Sequence, residues 1–197
     1  MLKIGLTGGI GSGKSEVSNF FHSWGAFIFD ADKEAKNIIN KNKQAQQEII
    51  KEFGSDVINA DNIIDKRKLA RVAFQDEFHQ LRLNSIIHPF VFKKIDKTFD
   101  KIKLDNNYKS FIVDAALIYE SGADTHMDYV IVVTSLLRFR TERIMSKGNI
   151  NRDDFMKRVA LQWSDEDREH MADFIIQNNS DLKNLKKESK KVFDSIF

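Results

Sequence analysis

Residues 8–15 read Gly8-Gly9-Ile10-Gly11-Ser12-Gly13-Lys14-Ser15, a G-x-x-x-x-G-K-S run that requires a strand before it and a helix after it. The requirement is physical. Gly8, Gly9, Gly11 and Gly13 let the backbone take positive φ and approach a ligand closely, so that amide N–H groups converge on an anion. The following helix adds free donors and a favourable dipole at its N-terminus. Lys14 supplies a mobile charge for the β and γ phosphates of a nucleotide, and Ser15 a hydroxyl suited to a bridging magnesium ion. Gly9, Gly11, Ser12, Gly13, Lys14, Ser15 and Glu16 are the candidate nucleotide-binding residues.

Both flanks agree with the motif. Leu2 to Thr7 is a short, mostly apolar segment, as a buried parallel strand requires. After Ser15, Val17, Phe20, Phe21 and Trp24 fall at i, i+3, i+4 and i+7, the stripe of an amphipathic helix, and Gly25 stops it.

A chain of 197 residues fits one domain with room for an inserted lobe. Cysteine is absent, which removes disulfides, thiolate metal sites and cysteine nucleophiles together. The N-terminus leads directly into the first strand, and no apolar run approaches the about 18–20 residues of a membrane span. The expectation is a cytoplasmic protein with no membrane association and no evident obligate protein partner. A formal charge of +2 gives no argument for nucleic acid. The local basic tail, Lys183, Lys186, Lys187, Lys190 and Lys191, alternates with Leu182, Leu185, Val192 and Ile196 at near-helical spacing. It reads as a terminal helix docked by one face with its lysines solvated.

Four more segments can join the first strand: Ala26 to Asp30, Phe111 to Asp114, Tyr129 to Thr134 and Phe174 to Ile176. Apolar strands alternating with helices indicate an α/β domain around a parallel sheet of five strands, with ligands at the carboxyl ends of the strands. The interval from Asp32 to Asn107 holds no convincing strand and reads as an inserted helical lobe for a second, bulky substrate. Ala35, Ile38, Ile39, Ala45, Ile49 and Phe53 suggest one helix in it; Leu69, Val72 and Ala73 begin another; Val91, Ile95, Thr98, Phe99 and Ile102 make a third after Pro89. A further helical, arginine-rich interval runs from Leu136 to about Asp173.

The candidate chemistry lies at strand ends. In an extended segment, Asp30 and Asp32 would face the same side and could aim at one point near the glycine loop. A carboxylate there can orient an attacking hydroxyl and accept its proton during phosphoryl transfer, where positioning and charge neutralisation dominate. Capping the next helix is an alternative role for both. Asp114 ends its strand where an acidic group can orient magnesium, although turns favour aspartate too. Arg138, Arg140 and Arg143 share a helix after the fourth strand, and Arg140 is the candidate clamp on transferred charge. The switch-GTPase patterns D-x-x-G and N-K-x-D are both missing.

Taken together, these residues resemble the dephospho-CoA kinase family over nearly the whole chain. The resemblance rests on Gly5 to Ser15, on Asp30-Ala31-Asp32, and on Leu83-Asn84-Ser85-Ile86-Ile87-His88-Pro89, which matches an L-N-x-x-x-H-P pattern and holds the chain's only proline. Arg158-Val159-Ala160-Leu161-Gln162 and Ala172-Asp173-Phe174-Ile175-Ile176-Gln177-Asn178 match two later motifs. It implies a P-loop kinase core (about 1–31, 108–136 and 172–197), a helical CoA-binding lobe (about 32–107) and a helical lid (about 137–171). It further implies ATP as co-substrate with Mg2+, Asp32 as general base, Lys14 and Arg140 beside it in catalysis, and metal contacts from Ser15 and Asp114. Asp32, Asn84, His88 and Glu120 would contact dephospho-CoA. A histidine packed before a proline-induced helix break is the alternative for His88. Departures from the family pattern are Ala116 for a proline, Lys147-Gly148-Asn149-Ile150 for R-D-G-L, Glu16 for a threonine and Ser164 for a proline. Competing readings are another small-molecule P-loop kinase, and a nucleotide-binding regulator with slow ATP hydrolysis.

Overall fold

The structure is a computed structural model and describes residues 1–73, 75–105 and 107–197. Five short apolar segments become strands: β1 (Lys3–Thr7), β2 (Ala26–Asp30), β3 (Ser110–Asp114), β4 (Tyr129–Thr134) and β5 (Phe174–Gln177). All their pairings are parallel and the order is β2-β3-β1-β4-β5. β1 therefore lies between β3 and β4, and the carboxyl ends of all five strands open on the same edge, the position of ligand crevices in such sheets.

The chain divides into two compact units, residues 1–30 with 98–197, and residues 31–97. In the first, the period-two alternation of the strands supplies two apolar faces. One face gathers Ile4, Leu6, Ile112, Ile131, Val133 and Ile176 with Val17 and Phe21 of α1 (Lys14–Ser23) and with Leu185 and Phe193 of the terminal helix α9 (Leu182–Ile196). On the other, Phe111 stacks on Phe27 and Phe29 at 5.3 and 5.9 Å between ring centres and meets Phe99 edge-on at 5.4 Å. The α9 lysines are exposed, as their spacing suggests, with Lys186 lying over Phe20 and Lys190 over Trp24. Leu182, expected in the buried stripe, is exposed. Ser189 takes a buried place there, its hydroxyl satisfied by the Leu185 carbonyl.

The second unit is helical: α2 (Ala31–Lys41), α3 (Lys43–Phe53), α4 (Lys66–Ala73) and the start of α5 (Glu77–Asp105). Three sequence expectations need correction. The single helix expected over Ala35 to Phe53 is two, because Asn42 leaves helical geometry and its side chain accepts the Ala45 N–H as an N-cap. The third helix does not begin after Pro89 but runs through it. Proline in a helix interior costs about 3 kcal/mol, and burial of Ile87, Val91 and Ile95 along one face outweighs it. Asp32 is in the first turn of α2 rather than in extended chain, so the same-side argument for Asp30 and Asp32 does not hold.

Returning to the first unit, α6 (Leu137–Lys147), α7 (Arg152–Ala160) and α8 (Asp165–Met171) fill the interval between β4 and β5. Ser164, a departure from the family pattern, is the N-cap of α8: its hydroxyl accepts the Asp167 N–H and donates to the Asp167 carboxylate. Among the described residues no helix is long and apolar enough to cross a membrane.

Candidate active site

The glycine loop leaves β1 at Thr7 and enters α1 at Lys14. A 2.9 Å hydrogen bond from the Ser12 N–H to the Gly9 carbonyl closes a turn inside it. Positive φ is found at Gly8 (159°), Gly11 (82°) and Gly13 (100°), but not at Gly9. Gly9 is needed for space: a Cβ there would stand 2.6 Å from the Arg140 guanidinium. Gly13 has both constraints, since its added Cβ would overlap the Asn178 carboxamide.

The carbonyls of the loop are held from behind. Arg140 donates its Nε–H to the Ile10 carbonyl at 2.8 Å, and the Asn178 Nδ2 donates to the Ser12 carbonyl at 2.7 Å. Arg143 reaches the Gly11 carbonyl at 3.3 Å, the Ser135 hydroxyl at 3.0 Å and the Asn178 carbonyl at 2.8 Å. The Ile10 N–H donates to the Gln162 Oε1 at 2.9 Å, while the Gln162 Nε2 donates to the Ala116 carbonyl at 3.3 Å. One carboxamide thus ties the loop to the segment after β3.

Arg140, the candidate clamp on transferred charge, is buried. Its side chain is 1% exposed and its Nη1 donates to Asp165 at 2.5 Å. Burial pulls its pKa below the ordinary arginine range; Asp165 opposes that shift and Arg168 adds to it. Asp165 also accepts from the equally buried Arg168 at 2.7 Å. Two guanidiniums therefore share one carboxylate, and Arg140 Nη2 and Arg168 Nε and Nη1 are buried with no hydrogen-bond partner among the described residues. An excess of positive charge lies beneath the loop, where a low dielectric strengthens its field.

On the open side, Ser15 and Glu16 are exposed in the first turn of α1, and Lys14 forms an ion pair with Asp114 at the end of β3. Asp114 is in register with Leu6 and with Asp30. Glu120 accepts the Trp163 N–H at 2.9 Å, and Trp163 stacks on Tyr119 at 5.5 Å with the rings 12° from parallel. Burial, aided by Asp173, Asp124 and Glu120, pushes the Tyr119 hydroxyl up to about 12.

In the helical unit Asn84 and His88 are both half-buried and occupy i and i+4 positions of α5. His88 packs against Phe92 with ring centres 5.9 Å apart, and desolvation lowers its pKa. Because α5 continues beyond Pro89, no helix break explains this histidine. Asp32 is exposed at the start of α2.

The sequence gives no role to Asn178, Gln162 or Asp165, and Arg143 enters it only as one of the arginines grouped with Arg140. Asn178 and Gln162 stood in recognisable motifs, but residue type alone does not reveal a bond to a backbone carbonyl or amide 150 residues or so away.

A model of the family described as dephospho-CoA kinase matches residues 2–184. The chain belongs to the dephospho-CoA kinase family. Curated relatives of that name include one from Corynebacterium glutamicum, 39% identical with all of both chains covered, and one from Fusobacterium nucleatum, 38% identical over 98% of this chain and 97% of the relative. A crystal structure of a Thermus thermophilus protein aligns with TM-score 0.82 and 25% identity, covering 100% of this chain and 98% of its own. A dephospho-CoA kinase from Campylobacter jejuni aligns with TM-score 0.69 and 26% identity, covering 98% and 96%. A shikimate kinase from Bacteroides thetaiotaomicron, at 12% identity and TM-score 0.55, shares the fold. Family membership makes this chain a kinase that transfers phosphate to an alcohol group, with ATP as co-substrate.

Proposed function

We propose that this kinase transfers the γ-phosphoryl group of magnesium-ATP to the ribose 3′-hydroxyl of dephospho-CoA, giving coenzyme A and ADP. The observation that carries the reading is the glycine loop, whose carbonyls are held from behind while Lys14 stands paired with Asp114 at its open side. Lys14 exchanges that partner for the β and γ phosphates when nucleotide enters, and its charge follows the phosphoryl group in flight. Arg140 adds charge from beneath the loop.

The donors present fit a hard cation that keeps part of its water shell: the Ser15 hydroxyl and the Asp114 carboxylate are both oxygen ligands. Among the described residues no group of three or more His, Cys, Asp or Glu side chains could hold a metal ion. Ser15 and Asp114 would hold Mg2+, which supplies neutralisation of phosphate charge.

Asp32 orients the acceptor hydroxyl and takes its proton as the oxygen–phosphorus bond forms and the bond to ADP breaks. Asn84 and His88 contact the acceptor, and Glu120 positions the Trp163 segment of a lid formed by 137–171, which excludes water until the acceptor arrives. Residues 32–107 form the CoA-binding lobe, and the enzyme works in the cytoplasm on small molecules. The test is ADP release from magnesium-ATP with and without dephospho-CoA, with the product identified by mass. Turnover should require the acceptor and yield coenzyme A. Asp32→Asn should bind ATP normally and lose most turnover; an active Asn variant would remove Asp32 from the base role.

A further inference from the structure

The loop's amide groups are aimed by residues on its far side, and Asn178 is the best placed of them. A trans peptide is planar, so the carbonyl of one residue and the N–H of the next point in opposite directions. Asn178 Nδ2 holds the Ser12 carbonyl at 2.7 Å, which turns the Gly13 N–H away from Asn178. Arg140 does the same to the Gly11 N–H through the Ile10 carbonyl at 2.8 Å. Neither the Gly11 nor the Gly13 N–H has a hydrogen-bond partner among the described residues, whereas the Ser12 N–H between them is committed to Gly9.

Asn178 is itself tightly fixed. It is 6% exposed, its N–H donates to the Thr134 carbonyl at 2.8 Å, and its own carbonyl accepts from the Ser135 hydroxyl at 2.7 Å and from Arg143 at 2.8 Å. The ends of β4 and β5 and the helix α6 thereby set the position of one carboxamide. That carboxamide presses on the α-carbon of Gly13 so closely that no side chain fits there.

We infer that Asn178 is a positioning residue for phosphoryl transfer, holding the Ser12–Gly13 peptide so that the Gly13 N–H faces the nucleotide phosphates before the nucleotide arrives. The inference rests on the nucleotide reading of the loop. It makes Asn178 an indirect contributor: it touches no phosphate, and its effect passes through one peptide plane. Preorganised donors of this kind matter because no reorganisation is then needed as charge develops.

The experiment compares wild type with Asn178→Asp and Asn178→Ala. The aspartate is nearly isosteric and replaces the donor with an acceptor against the Ser12 carbonyl, so it tests the inference even where alanine fails to fold. Thermal unfolding reports folding, steady-state kinetics separate kcat and the KM values for ATP and dephospho-CoA, and the Gly13 amide proton shift is followed on addition of a non-hydrolysable ATP analogue. In wild type that proton should move downfield on binding. In the aspartate variant the shift should vanish and kcat/KM for ATP should fall by about tenfold to hundredfold, with the KM for dephospho-CoA unchanged. A folded variant with the wild-type Gly13 shift and wild-type kcat/KM for ATP would overturn the inference. Failure of wild type itself to bind the analogue would instead overturn the nucleotide reading.

Discussion

The glycine loop and the helical unit 31–97 are held by different kinds of interaction. The loop is tied by side chains far away in sequence: Arg140, Asn178 and Gln162 each bond a loop backbone group across 130–166 positions. The helical unit relies on local ties. Asn42 caps Ala45, the Asp65 carboxylate accepts from Arg67 and Lys68, and Asp76 accepts from His79. Its longer-range polar links, Lys68 to the Ile58 carbonyl and Arg82 to Glu52, involve flexible and partly exposed side chains. Phe78, Leu81 and Ile63 remain exposed. Remote buried ties resist displacement together, while local ones open one at a time. The loop is therefore preformed, and the helical unit is the more adaptable of the two.

The strongest way to break this contrast is Gly13→Ala. The residue's φ of 100° and its contact with Asn178 both oppose a Cβ, so the loop must deform. The kcat should fall by about a hundredfold or more, measured as acceptor-dependent ADP release; near-normal turnover would mean the loop is not rigidly supported. Next comes Asp165→Ala, which leaves two buried guanidiniums without their shared carboxylate. Removing one partner of a buried charge cluster costs about 3–5 kcal/mol, to be read from urea denaturation.

On the other side of the comparison, Glu52→Gln breaks an ion pair whose side chains are one-third exposed or more. The same denaturation assay should show a loss of only about 0.2–1 kcal/mol. The smallest effect is a pH dependence. Burial holds the His88 imidazole neutral below its ordinary value of 6.5, so as pH falls below 6.5 the unfolded chain binds a proton that the folded chain refuses. The stability from this source is complete above 6.5 and declines through the window down to the lower folded value. His88→Gln should flatten that part of the stability profile in urea titrations between pH 5 and about 7.

How much of this was legible in the sequence follows the same division. β2 and β4 have the bounds read from their apolar runs, and the glycine spacing located the loop, because both signals are local. Lys14 and Ser15 open α1, as the strand–loop–helix reading of the motif expects. The helix break at Asn42 was hidden by an apolar period that continues across it, and the passage of α5 through Pro89 depends on burial that only packing reveals. Asp32 was read in extended chain because Asp30 ends a strand, although the helix begins at Ala31. Arg140 was read as a clamp from its charge, yet its buried contacts with Ile10 and Asp165 bring together residues 130 and 25 positions from it.

The measurement that bears most directly on the preformed loop is amide hydrogen exchange at Ile10 and Ser12 in the nucleotide-free enzyme, resolved by NMR. Both N–H groups are bonded within the protein, to Gln162 and to Gly9. They should exchange as slowly as the amides of β1, with little further slowing when ATP analogue is added. Exchange at the rate of unstructured chain, slowing only on nucleotide binding, would show that the ligand builds the loop and contradict the account.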